Sequence, residues 1–357
     1  MIHLKFNDMK PIFYTLVIAL FALQGCKKDI KSVPDNYNTS NPDNIKQKPA
    51  TPYVSDKGFK VLAYYSEARE PDSIELAKFK MITNLHYAFA YPNADGTIKA
   101  IGKPANFQKM KKLAKDNGVK FAVSIAGVTD PEKTAFETLV RDPALRKTFI
   151  ANIVKFAVNN DLDGIDIDWE YPNADRGNSI SYEAFMTELS VELHAWHKYL
   201  SAAVTAGVYA GGIRDGVTLG AVNAMDFINL MAYDGATYKS NPNHSSLVLA
   251  QDVLAYWITQ KGIPKEKAVL GMPAYGKNAA NAAITYRDLL RQKADPAGES
   301  VAIDGVTYYY NGTTLAKEKA LLAQSTANGI LIWEFYQDAN GANSLIKTIN
   351  DALGRKY

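Results

Sequence analysis

LDGIDIDWEYP, residues 162–172, places Asp163, Asp166, Asp168 and Glu170 within eight positions. A β-strand sends alternate side chains to opposite faces, so Asp166, Asp168 and Glu170 share one face and Ile165, Ile167 and Trp169 the other. Successive same-face Cα atoms lie about 6.6 Å apart. In a closed barrel the apolar set packs on the helices and the carboxylates line the interior. Glu170 then sits nearest the C-terminal rim, where barrel active sites lie, and Pro172 ends the strand. Three carboxylates this close cannot all stay ionised, so protons are shared and their pKa values spread apart. General acid catalysis near neutral pH needs such a spread. A cation site or a solvated edge strand are the alternatives. The D-x-D-x-D-G order of a calcium loop is absent, and a solvated face is not normally backed by Ile, Ile and Trp. The row reads as catalytic.

Seven more apolar runs flank this one: 59–65, 82–90, 119–126, 200–206, 226–232, 267–273 and 329–335. Amphipathic stretches fall between them, among them FQKMKKLAKDNG, DPALRKTFIANIVKFAVNN, SYEAFMTELSVELHAWHKYL and SLVLAQDVLAYWITQKG. Eight strands alternating with helices over about 300 residues predict an α/β fold, a (β/α)8 TIM barrel. A doubly wound open sheet would usually carry a Gly-rich phosphate loop after its first strand, and YYSEAREPD has none.

The 357 residues are 47% hydrophobic and 22% charged, as expected of a globular body with a substantial core. The net charge of +3 comes without a dense basic block, which argues against a nucleic-acid partner. The single cysteine, Cys26, excludes an intramolecular disulfide and thiolate metal clusters. It follows the apolar run Ile12 to Leu23, too short for a bilayer span but suited to a signal-peptide core, with Lys10 as the positive flank. Residues 27–57, rich in Pro and Asn and poor in large aliphatics, read as a flexible tether. The expected organisation is a signal peptide at 1–25, Cys26 and a linker to 57, and the barrel from 58 to 357.

Leu23-Gln24-Gly25-Cys26 resembles the lipobox of bacterial lipoproteins. That resemblance implies lipidation of Cys26 and a lipid-anchored place in the bacterial cell envelope, on the outer membrane, facing the periplasm or the surface. DGIDIDWE resembles the DGxDxDWE signature of glycoside hydrolase family 18, the chitinase family. ITNLHYAFA, FAVSIAG (Ala126 standing for the first Gly of SxGG), LSAAVTA, DFINLMAYD, AVLGMPAYGK and GILIWEFYQD are similar to the other strand motifs of that family, in order, from Phe59 to the C-terminus. The resemblance implies that Glu170 is the acid protonating the glycosidic oxygen. The nucleophile is then the substrate's own 2-acetamido group rather than a second carboxylate. Asp168 would orient the acetamido N–H. Asp166 would hold the neighbouring proton, supported by Ser124 and Tyr64. Tyr233 would bond the acetamido oxygen. Asp234, Trp333 and Met231 would contact the sugar, with Tyr171 and Tyr275 at the rim. No metal or cofactor is implied. His194 and His197, three apart on a helical pattern, lack a third ligand and read as surface or packing residues.

Many chitinases of the family insert a small α+β domain after GxPxYG. Only Lys277 to Ile284 separates Gly276 from Thr285 here, so a shallower, open groove suited to endo cleavage is expected, with 294–314 forming a small hairpin. Ala126 is expected to crowd the backbone near Asp166. The expected substrate is chitin or another N-acetylglucosamine glycan, acted on by a monomer. The alternatives are an endo-β-N-acetylglucosaminidase acting on N-glycan cores, or a non-catalytic chitin-binding lectin. The intact Glu170 argues against the lectin.

Overall fold

The computed structural model describes residues 36–38 and 45–357. The signal peptide, Cys26 and residues 27–35 and 39–44 of the linker lie outside the described residues. Eight parallel strands close a barrel: β1 Lys60–Ser66, β2 Asn84–Ala90, β3 Lys120–Gly127, β4 Gly164–Trp169, β5 Tyr199–Thr205, β6 Phe227–Met231, β7 Ala268–Pro273 and β8 Gly329–Trp333. They pair in chain order, and β8 closes on β1. All eight expected runs are barrel strands. They are legible because a parallel sheet covered on both faces needs near-continuous apolar segments.

The helices between them follow from local signals. Helix Pro143–Asn159 starts at Asp142, whose side chain accepts from the backbone N–H groups of Ala144 and Leu145, with Pro143 at the first helical position. It buries Phe149, Ile150, Ile153, Val154 and Ala157, the spacing of one helix face. Trp169, from the helix-facing side of β4, stacks on Phe136 at 5.7 Å. The expected division of faces therefore holds. Gly164 is required by close approach: a Cβ there would lie 2.5 Å from the Tyr199 ring, which packs inside the barrel with Leu62, Tyr64 and Phe227. Asp163 is no part of the interior row; its Oδ2 accepts from the Phe121 backbone N–H at 2.7 Å.

Three regions differ from expectation. Residues 45–57, read as linker, are strapped across the N-terminal end of the barrel. Lys46 donates to the Val158 carbonyl at 2.9 Å, and His197 donates to the Thr51 carbonyl at 2.7 Å. Tyr53 donates to Asp226 at 3.0 Å and stacks on His194 at 4.1 Å. Average composition hides this, because the docking rests on one aromatic ring and a few polar contacts. Secondly, the helix starting at Ser179 ends at His194, and His197 follows at φ 53, so the two histidines do not share a helix face. Thirdly, the expected hairpin is present as Ser300–Ile303 and Val306–Tyr309, turning through Asp304 and Gly305 at φ 48 and 78. It joins a second hairpin, Tyr275–Lys277 with Ala283–Thr285, in one four-stranded sheet.

Candidate active site

Strand register builds the site from the inside outward. Ser124 on β3 and Ser201 on β5 lie directly beside Asp166 on β4. Asp166, fully buried, accepts from Tyr64 at 2.9 Å, Ser124 at 2.8 Å, Ser201 at 2.6 Å and Asn229 at 3.1 Å, and His86 Nδ1 stands 3.6 Å away. Burial alone would raise its pKa. His86 and the hydroxyl donors outweigh it and hold the carboxyl below the usual range.

Asp168, one step nearer the mouth, has the opposite environment. It is 4% exposed, and its Oδ1 has no hydrogen-bond partner in the protein. Burial, then the neighbouring Glu170 and Asp166, push its pKa well above the carboxylate range. The proton of this pair, expected on Asp166, is thus favoured on Asp168, because the donors all converge on Asp166. Glu170 is raised too, by burial first. A hydrogen bond with Tyr171 and the charge of Lys133 offset this in part, and Asp234 adds to it.

Asp168 and Glu170 open into a cavity of 410 Å³ also lined by Met231, Tyr233, Asp234, Trp333, Tyr171 and Tyr275. Trp333 is backed by Phe89, stacked at 5.7 Å, and by Tyr64 at 5.6 Å. Asp234 sits just past the end of β6 at φ 61. Tyr275 donates to its Oδ1 at 2.7 Å, Lys277 lies at 2.7 Å and His244 Nδ1 at 3.2 Å. Burial would raise Asp234, but bonds from His244, Lys277 and Tyr275 pull it down to about 2. One cavity therefore holds a high-pKa acid, a low-pKa carboxylate, a buried phenol and a flat indole.

Of the expected residues, Tyr64 and Ser124, expected to support Asp166, lie below the cavity and both donate to it. Tyr275, expected at the rim, is buried at 6% exposure. Ala126 pairs with Asp168 rather than Asp166, so any crowding acts one step nearer the mouth. Sequence reasoning missed His86, Ser201 and Asn229 around Asp166, His244 and Lys277 around Asp234, and Phe89 and Tyr209 in the cavity wall. For the first three a signal existed: each is a polar residue inside a mainly apolar strand run.

Comparison with known proteins accounts for this arrangement. The sequence profile described as Glycosyl hydrolases family 18 matches residues 60–338, nearly the whole barrel. The chain belongs to that family. It is 29% identical over 343 residues to Chitinase 1 of Aphanocladium album, covering 76% of this chain and 79% of that protein. The GH18 chitinase ChiB from the chitin utilization locus of Flavobacterium johnsoniae superposes with a TM-score of 0.71 at 30% identity, over 83% of this chain and 94% of that one. A chitinase from Bacteroides thetaiotaomicron gives a TM-score of 0.71 at 25% identity, over 84% and 99%. As a family 18 glycosyl hydrolase, the protein is a chitinase-type glycoside hydrolase, and the outer two carboxylates of the row, Asp168 and Glu170, line its cavity.

Proposed function

We propose that the protein cleaves β-1,4-linked N-acetylglucosamine polymers or oligomers with retention, using the substrate's own acetamido group as nucleophile. The observation that carries this reading is Asp168 Oδ1: a buried oxygen without a partner, beside a high-pKa Glu170, in the cavity wall. Leaving such an atom unpaired costs on the order of 1–3 kcal/mol, which a substrate N–H would recover. The names of the similar chitinases support chitin as the substrate class.

The chemistry follows from the positions. Glu170, whose pKa is raised chiefly by burial, delivers its proton to the glycosidic oxygen as the bond to C1 breaks. The acetamido oxygen forms the new bond to C1, giving an oxazolinium ion. Asp168 accepts the acetamido N–H at its unpartnered Oδ1. Tyr233 donates to the acetamido group, Trp333 underlies the sugar and Asp234 contacts it. Glu170, now a carboxylate, takes a proton from the water that opens the ion with retained configuration.

The four-stranded sheet after β7 is small, which supports an open groove and endo cleavage. Turnover of a labelled chitotriose with the β-anomer as first product, followed by NMR, tests the reading. Binding without turnover would leave a lectin. Turnover of a high-mannose glycoprotein in preference to chitin oligomers would reassign the substrate. As for location, a lipid on Cys26 would tether the body through residues 45–57, which leave the barrel at the end opposite the cavity. Cys26→Ser should free the protein from membranes; persistent attachment would count against lipidation.

A further inference from the structure

Helix Thr313–Thr326 carries a lysine, Lys319, with 0% exposure and no carboxylate partner. Its ammonium donates to the Ser245 carbonyl at 2.5 Å, to Ser245 Oγ at 2.7 Å and to Asn311 Oδ1 at 2.6 Å, which uses all three of its protons. Ser245 Oγ donates its single proton to the Ala232 carbonyl at 2.7 Å. Ala232 is the residue before Tyr233. There the chain has left the barrel ladder: the Ala232 N–H turns back to the Leu230 carbonyl at 2.8 Å, and its own carbonyl has to find a donor elsewhere.

The same segment is clamped from the other side. Ser245 N–H donates to Asn243 Oδ1 at 3.0 Å, and Asn243 Nδ2 donates to Glu299 at 3.0 Å and to the Tyr310 carbonyl at 3.0 Å. Asn311 Nδ2 donates to the Ser245 carbonyl at 3.1 Å. His244, adjacent to Ser245, faces Asp234, and its carbonyl accepts from Gly235 N–H at 2.9 Å. The loop bearing Tyr233 and Asp234 is therefore held at both ends by one buried polar network with Lys319 at its centre.

We propose that Lys319 is a positioning residue for the reaction, fixing through Ser245 the backbone that seats Tyr233 and Asp234; this rests on the substrate-assisted reading above. Packing does not explain the lysine. An unpaired ammonium is unfavourable inside a protein, and burial, only partly offset by Glu299, pulls its pKa down to about 7. An apolar side chain of similar length would fill the volume without that penalty. What it would lose is the three-pronged donor that keeps Ser245 Oγ turned toward Ala232. Misplacing a reacting group by about 1 Å costs on the order of 10²-fold in rate.

The test compares Lys319→Met and Ser245→Ala with wild type on a labelled chito-oligosaccharide, with kcat and KM resolved and folding followed by near-UV circular dichroism and Tm. The expected result is a kcat lowered about 30-fold in Lys319→Met and about 10-fold in Ser245→Ala, within the range for a misplaced group, with KM changed by less than about threefold. A folded variant with wild-type kcat, or a loss confined to KM, overturns the inference. Should Lys319→Met fail to fold, Ser245→Ala decides alone, since it removes one hydroxyl and leaves the lysine two acceptors. If wild type turns over and the variants match it, only this inference falls. If wild type itself does not turn over, the proposed function falls with it.

Discussion

Asp166 and Asp168 are the same residue type, two positions apart on one strand and on one face, yet their pKa values are pushed in opposite directions. Asp166 is ringed by four hydrogen-bond donors from four other strands, with a histidine beside them. Asp168 has a buried oxygen with none. Burial acts on both in the same direction, so the difference comes from what surrounds them: His86 and the hydroxyl donors at Asp166, and the neighbouring carboxylates Glu170 and Asp166 at Asp168. The inner carboxylate is completed by the protein. The outer one is left for something that enters the cavity. Stability and reactivity are thereby separated along about 6.6 Å of strand.

Removing the acid at the outer end should have the largest effect. Glu170→Gln keeps the shape but not the proton, and kcat should fall about 10³-fold, in the range for a lost general acid, with a smaller change in KM. A fall of less than tenfold would move the acid elsewhere. Asp168→Asn should lower kcat about 10²-fold with the fold intact. It also carries a stability signature. The folded pKa of Asp168 is raised, so the native state binds more protons than the unfolded one, and wild type loses stability as pH rises from the ordinary carboxylate value through the raised one. The Asn variant lacks that loss. Its Tm should match wild type near pH 4 and exceed it near pH 7; a lower Tm at pH 7 would show Asp168 to be ionised in the free enzyme.

Half of this contrast was legible in the sequence. Alternation in GIDIDW put the carboxylates on one face, and eight apolar runs supplied a barrel to hold them. The asymmetry was not legible, because it depends on register across strands far apart in the chain. Ser201 and Asn229 lie 35 and 63 residues from Asp166, and nothing local shows that they converge on it. His244 comes from a loop and Lys277 from a three-residue strand outside the barrel, too short to show periodicity, so the grip on Asp234 was invisible. Tyr53 escaped for another reason: docking of residues 45–57 rests on one ring and a few polar contacts within a stretch whose average composition reads as unfolded.

At the inner end the expected effects are smaller on rate and larger on stability. Asp166→Asn keeps the size but turns an amide N–H₂ toward groups arranged as donors. The hydroxyls of Tyr64, Ser124 and Ser201 can rotate to accept, so the loss should be about 1–3 kcal/mol rather than complete unfolding. The Asp166 pKa is lowered, so the stability it contributes is present above the ordinary carboxylate value and lost as pH falls through the lowered one. Urea unfolding at pH 7 should therefore show Asp166→Asn less stable than wild type and Asp168→Asn not, with kcat of the former down about tenfold through the disturbed neighbour. Equal stabilities would erase the distinction between the two carboxylates.

The smallest effect should come from Lys277→Met. Asp234 is a third carboxylate in the cavity, and like Asp166 it is held ionised by donors, but it is half-exposed and its cation can be screened by solvent. His244 and Tyr275 remain after the substitution, while burial still disfavours the charge. The pKa should rise from about 2 without reaching neutrality. Since the ionised form contacts the sugar in the proposed reaction, activity is lost as pH falls through that pKa. The acid limb of the kcat/KM profile should then shift to higher pH, with the rate at pH 7 reduced only about two- to threefold, the scale of a screened surface pair. An unmoved acid limb would mean that Asp234 is held by Tyr275 and His244 alone. Donor supply from hydroxyl and imidazole groups would then set the protonation of this carboxylate, as it does at Asp166, with no part left for the lysine.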